Sequence, residues 1–279
     1  MIAFPQDAVF LDLGSNLGVY SLLVAQLRHS AGDGRPGRVV AVDAQADNLA
    51  FISHSLIKNN IPQQMITLVH NAISDVSEPL YPIPMGNDPK DNPGSWQFVS
   101  KVEEEGKVLG QPTDSITMAS LLSSLPHSTY IVKMDIQGME CKALRSLGAF
   151  PAAIMPYIFM EWNEIADSPK RCPNIDDLIH QLESEGYIAR WPSQLALMPK
   201  HCLYAPPINV LWVHKSARPI WNTDWAMDCE VYHWTESNKT ASQIADCCPL
   251  LTICPRWCPR HAPDDAPDDA LDMPLTFPR

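Results

Sequence analysis

Residues 8–28, AVFLDLGSNLGVYSLLVAQLR, constrain the fold more than any other stretch. Ala8 to Leu13 is a short apolar run, as in a strand buried on both faces. It ends in a glycine turn, and Val19 to Arg28 then reads as a helix. Glycines in such a turn let the backbone approach a ligand closely, and the helix start offers N–H groups without intrahelical partners. Strand, glycine-bounded turn and helix in this order predict the opening unit of a parallel α/β sheet with a ligand over the turn.

The pattern repeats along the chain. Arg38 to Asp43 (RVVAVD) is a second strand, and Asp47 to Asn59 carries Leu49, Ile52, Leu56 and Ile57 at helical spacing. Gln64 to His70 is a third strand. From Ser74 to Pro112 the regularity breaks, punctuated by Pro79, Pro82, Pro84, Pro89, Pro93 and Pro112 and by the run Glu103–Glu105. This segment reads as a variable insertion over the C-terminal edge of the sheet, with a short strand at Ser95 to Val99. An excursion this long is more often functional than idle; the alternative is a disordered surface loop. Asp114 to Leu125 reads as a helix capped by Thr113 or Asp114. Tyr130 to Asp135 is a fourth strand, Met139 to Leu147 a helix, and Pro156 to Glu161 a fifth strand. Ile175 to Ser184 is an amphipathic helix stopped by Gly186. Tyr187 to Trp191 and Ile208 to His214 have no helix-length apolar pattern between them and should pair antiparallel. Five β-α units and a final strand pair predict a seven-stranded sheet with helices on both faces.

The 279 residues fit one large domain over 1–216 and a tail over 217–279. Beyond Ser216 the composition shifts to Trp, Cys and Pro. The tandem APDD repeat at 262–269 cannot bury apolar surface, so disorder is expected from about residue 260. Five of the eight cysteines fall in the tail without a zinc-type spacing, and no metal site is expected. Cys141, Cys172 and Cys202 read as ordinary buried or free thiols. Acids outnumber bases 32 to 20, a net charge of −12, which argues against a basic nucleic-acid-binding face. No run reaches the ~18 apolar residues of a membrane span. The start MIAFPQDAVF lacks the features of a signal peptide, so the default expectation is cytoplasmic, and an upstream segment missing from the sequence would also explain so abrupt a start.

Four acids or polar groups sit where strands should end. Asp43 closes the second strand, where a carboxylate can accept both hydroxyls of a ribose; a surface turn acid is the alternative. Asn71 and Ala72 follow the third strand, within reach of a bound adenine, although Asn is also a common turn former. Asp135 ends the fourth strand at the edge of the ligand crevice. Glu161 and Trp162 leave the fifth, where a carboxylate and an indole on the rim would hold a substrate hydroxyl or a sugar face; a helix-capping role is the alternative for Glu161.

Taken together these motifs resemble the FkbM-type methyltransferases. FLDLGSNLGVYS is similar to that family's opening motif, VVAVDAQADN to its second-strand motif and NAISD to its third. PTDSITMASLL, IVKMDIQGMECKAL and YIFMEW follow in the family's order. The resemblance implies a Rossmann-like class I methyltransferase fold with an antiparallel last strand. It also implies S-adenosyl-L-methionine as cofactor and O-methylation of a hydroxyl on a sugar or other small molecule. By position, Asp12, Gly14, Asn16 and Gly18 would line the methionine part of the cofactor, and Asp43 would hold the ribose. Asn71 and Ala72 would flank the adenine, and Asp135 would lie nearest the sulfonium and the acceptor. Gln137 stands where the family carries an acid, and Ala44-Gln45 replaces its E-P pattern.

A hydroxyl acceptor is a poor nucleophile until a base takes its proton. Asp135 and Glu161 are the candidates for that task, with His70 third. The partner is expected to be a small-molecule or glycan acceptor. The alternative reading is a catalytically inactive methyltransferase-fold binding protein or adaptor, motivated by Gln137 and the unusual tail. A nicotinamide oxidoreductase fits the G-x-N-x-G turn and the antiparallel finish poorly.

Overall fold

The computed structural model describes residues 7–217, apart from 84–95, 101–110 and short breaks at 127, 150, 152–153, 167, 193–194 and 205–208. The chain divides into two units, Met1–His233 and Trp234–Arg279, and every described residue belongs to the first. The tail from 218 onward lies outside the described residues, and with it the five tail cysteines and the APDD repeat.

The opening unit forms as its sequence dictates: β1 (Val9–Leu13) runs into α1 (Val19–Ser30). β2 (Val39–Asp43), α2 (Ala46–Lys58) and β3 (Ile66–His70) follow. Between β3 and the next helix lie β4 (Ala72–Ser74), β5 (Pro79–Ile83), β6 (Gln97–Val99) and β7 (Thr113–Thr117), ahead of α3 (Met118–Ser124); the expected insertion at 74–112 covers β5 and β6. β8 (Tyr130–Met134), α4 (Glu140–Arg145), β9 (Tyr157–Glu161) and α5 (Asn163–Ala166) continue the main alternation. α6 (Ile175–Ser184), β10 (Tyr187–Arg190) and β11 (Asn209–His214) complete it.

The main sheet has the order β10-β11-β9-β8-β1-β2-β3. Its neighbours are parallel except β11, which runs antiparallel to both β9 and β10. This is the class I methyltransferase fold. β1, β2 and β8 are buried along their whole length, because helices cover both faces of a parallel sheet. One core cluster joins Phe10, Val39 and Ala41 of the sheet to Val24, Ala25, Leu49, Ile52 and Leu56 of α1 and α2. The strand order reverses between β1 and β8, and the crevice outside their carboxyl ends is where such folds bind ligands.

Two local expectations are corrected. Residues 113–117 form β7, not the start of a helix. Thr113 and Ser115 turn inward and Asp114 outward, a two-residue period that a short polar run conceals. The helix cap is therefore Thr117, whose hydroxyl accepts from the Ser120 N–H at 3.1 Å, rather than Thr113 or Asp114. The second correction is that Cys141 and Cys172 are joined in a disulfide, with Cα atoms 5.4 Å apart, and are not free thiols. Cys202 is disulfide-bonded too. A pairing across 31 residues with no spacing signature is invisible in one sequence.

These strands form a second, four-stranded sheet of order β4-β7-β5-β6, with the insertion supplying β5 and β6. β4 continues the chain directly from β3 and pairs parallel with β7; β5 pairs antiparallel with both β7 and β6. The expected short strand at 95–99 is β6. Among the described residues no helix is long and apolar enough to cross a membrane.

Candidate functional site

The turn after β1 is shaped by two glycines in the left-handed region. A Cβ on Gly14 (φ 74) would lie 1.8 Å from the Asp135 carbonyl oxygen, so only glycine lets the loops after β1 and β8 cross. A Cβ on Gly18 (φ 80) would lie 2.4 Å from Ile52, which seats the start of α1 on α2. Between them Asn16 (φ 49) donates its backbone N–H to Asp43 at 2.7 Å. Asp43 also accepts from the Gln45 N–H (2.8 Å) and the Asn48 amide (3.0 Å), and so ties the turn after β1 to the start of α2.

The turn after β1 and the start of α2 border a cavity of about 250 Å³. Gly14 and Asn16 border it from β1, Asp43 from β2, Asn71 and Ala72 from β3 and β4, and Asp135 from β8. Six of the positions singled out in the sequence thus meet in one place. Asp12, Gly18 and Glu161 do not border the cavity. Asp12 lies beneath it, its side chain 1% exposed, accepting from the Ser21 hydroxyl at 2.6 Å and paired with Lys133 Nζ at 3.2 Å. Burial raises the Asp12 carboxyl above its ordinary value, against the opposing pull of Lys133 and Ser21.

Lys133 is the residue whose role the sequence hides. Its ammonium donates to the Gly14 carbonyl at 2.8 Å and lies 3.8 Å from the Asp135 carboxylate and 5.7 Å from the centre of the Tyr20 ring. One buried cation thereby joins the turn after β1 to the acid after β8. Asp135 is 42% exposed and accepts from the Gln137 amide at 2.9 Å. Gln137 thus supplies a donor to Asp135, where a carboxylate would add a second negative charge.

The loop from 135 to 139 is held from below and above. The Glu140 carboxylate accepts from the Ile136 N–H at 2.7 Å, and its complete burial pushes it up to about 7. Arg171 lies over Gly138, where a Cβ would meet its side chain at 2.5 Å, and pairs with Glu164. Gln97 of β6 accepts at its amide oxygen from Arg171 Nε at 3.1 Å. Glu161 ends β9 with one carboxylate oxygen buried and without a hydrogen-bond partner. Burial, then the charges on Asp135 and Glu140, hold it well above the usual carboxylate range.

Trp162 is no part of a rim, contrary to the sequence reading. It is 0% exposed, donates Nε1–H to the Leu203 carbonyl at 2.9 Å, and packs 5.5 Å from Trp212. The residue after a strand end can turn back into the core, and the apolar run gives no sign of which way it turns. His70 is exposed with Nε2 3.1 Å from the Ala44 carbonyl, and it does not border the cavity. Trp96, Phe98, Tyr20 and Met139 do border it, at positions that no sequence motif marks. Only the aromatic pair in the alternating W-Q-F segment offered a signal.

No protein-family model matches the sequence. No curated protein matches it either. Among solved structures, a methyltransferase FkbM from Methylobacillus flagellatus KT overlaps 77% of this chain and 45% of its own, at 14% identity and a TM-score of 0.40. A precorrin-6y C5,15-methyltransferase from Geobacter metallireducens GS-15 overlaps 77% and 84%, at 14% identity and a TM-score of 0.37. A putative rRNA-methylase from Clostridium thermocellum overlaps 76% and 89%, at 13% identity and a TM-score of 0.40. The chain spans less than half of the FkbM protein. The assignment of fold class rests on the strand order and on the reversed β11.

Proposed function

We propose that this chain is an S-adenosylmethionine-dependent methyltransferase acting on a hydroxyl oxygen of a sugar or other small molecule. The supporting observation is the convergence of Gly14, Asn16, Asp43, Asn71, Ala72 and Asp135 on one cavity at the switch point of the sheet.

The donor set fits the cofactor. Asp43 accepts three hydrogen bonds from protein, and a carboxylate with about four lone-pair sites keeps capacity for a ribose hydroxyl. The first turn of α1 presents N–H groups without intrahelical partners, suited to the cofactor's carboxylate. Ala44, Ala72 and Ile73 give an apolar end for the base. When bound, S-adenosylmethionine supplies a methyl group on a positively charged sulfur.

The remaining tasks fall to this chain's residues. Asp135, with Gln137 and Lys133 fixing its carboxylate, orients the acceptor hydroxyl and takes up its proton at an oxygen. Glu161, held above the usual carboxylate range, is suited to carry a proton near Asp135 rather than to compete as a second anion. The net charge of −12 favours an uncharged or cationic acceptor over a nucleic acid. Calorimetry with S-adenosylhomocysteine, then a screen of hydroxylated sugars and glycosides for transfer of a labelled methyl, tests the reading. Asp135→Asn should lower turnover by about 10²-fold with little change in cofactor affinity. Tight binding of S-adenosylhomocysteine with no methylated product across the screen would favour the inactive binding protein instead.

A further inference from the structure

We infer that the second sheet builds part of the cofactor site, with Trp96 and Phe98 forming the wall on which the purine stacks; this rests on the methyltransferase reading above. The insertion does not stay outside the pocket. β4 leaves the end of β3, and successive pairing through β7 and β5 carries β6 back to the cavity. Trp96 and Phe98 are two residues apart and both border it, as alternate residues of an extended segment share a face. Gln97, between them, fastens the segment to Arg171, whose guanidinium Nε donates to the Gln97 amide oxygen at 3.1 Å.

The position of Phe98 marks the end of the pocket. Phe98 and Met139 also border a second cavity of about 200 Å³, whose wall includes Ser74 of β4. Phe98 therefore stands where β4, which begins at Ala72, comes near Met139 of the loop before α4. A ligand there meets apolar side chains from β4, α2's approach and the loop before α4, together with two aromatic rings. A purine suits this wall, because its faces are flat and apolar and stack on aromatic rings.

The test uses the full chain, titrated with S-adenosylhomocysteine and with adenosine, followed by calorimetry and by tryptophan fluorescence. The wild-type chain has eight tryptophans, so the difference from Trp96→Phe isolates one. The ligand-induced fluorescence change should be lost in Trp96→Phe while binding persists. Trp96→Ala and Phe98→Ala should each weaken both ligands by about tenfold or more, the scale of a lost aromatic–base stack. Wild-type binding with the fluorescence change intact in Trp96→Phe, or affinities within twofold in both alanine variants, overturns this inference and leaves the methyltransferase reading standing. Failure of the wild-type chain to bind either ligand overturns that reading itself. Should Trp96→Ala misfold, the Trp96→Phe comparison still decides.

Discussion

Replacing Lys133 with Met tests whether one buried cation holds the site together. Methionine has nearly the length of lysine and is apolar, so packing in β8 is largely kept and the loss is electrostatic. The ammonium lies 3.2 Å from Asp12, 3.8 Å from Asp135 and 2.8 Å from the Gly14 carbonyl. At an effective dielectric of about 20, a pair of unit charges 3.2 Å apart attracts by about 5 kcal/mol. Asp135 is exposed enough for water to replace much of its share, whereas Asp12 is not. Breaking a buried pair by removing one partner costs about 3–5 kcal/mol. The variant should therefore lose about that much stability at pH 8.

The sign with pH is fixed by Asp12. Its carboxyl already titrates above its ordinary value because of burial, and without Lys133 it moves further up. A group whose folded-state pKa is raised favours folding below its unfolded value and loses that contribution as pH rises through the folded one. The deficit of Lys133→Met should thus be smaller at pH 5 than at pH 8. Urea denaturation at both pH values, with Asp12→Asn and the double variant completing a cycle, measures it. The cycle should return a coupling of about 2 kcal/mol or more at pH 8. A loss below about 1 kcal/mol, or one equal at both pH values, would show that the ion pair does not brace the site.

Asp43→Ala should weaken S-adenosylhomocysteine by about 2–3 kcal/mol in calorimetry, since a carboxylate acceptor for ribose hydroxyls is lost and the turn after β1 is loosened. Unchanged affinity removes Asp43 from the site. Glu140 is raised to about 7, so its contribution to stability is present below about pH 4.5 and is lost as pH rises through about 7. Thermal melts of Glu140→Gln should lack that decline, and a pH profile parallel to wild type would show that the carboxyl stays ionised. Replacing Cys141 and Cys172 together with alanine removes a link across 31 residues and should lower stability by about 3–4 kcal/mol. Mass spectrometry without reductant checks the bond, and an unchanged urea midpoint in the double variant refutes its structural role.

The sequence by itself determined what depends on neighbours along the chain. Apolar runs of five or six residues, each followed by a turn and a helical pattern, set the β-α alternation. The missing helix between the last two strands set the antiparallel finish seen at β10 and β11. Gly14, Asn16, Asp43, Asn71, Ala72 and Asp135 were legible for the same reason, since strand ends in a parallel sheet share one edge and must converge there. What tertiary structure alone decided concerns groups that meet through space. Lys133 reads as an interior residue of a strand, yet its reach across to Gly14 and Asp12 follows only from β8 lying beside β1. Trp162 and Glu161 are adjacent in sequence, but the turn after β9 buries the indole against Trp212 and leaves the carboxylate near Asp135. The second sheet is the clearest instance: its strands are three to five residues long, one of them interrupted by two prolines, and too short to carry a period. Their return to the cavity with Trp96 and Phe98 is fixed by pairing between strands that the sequence keeps far apart.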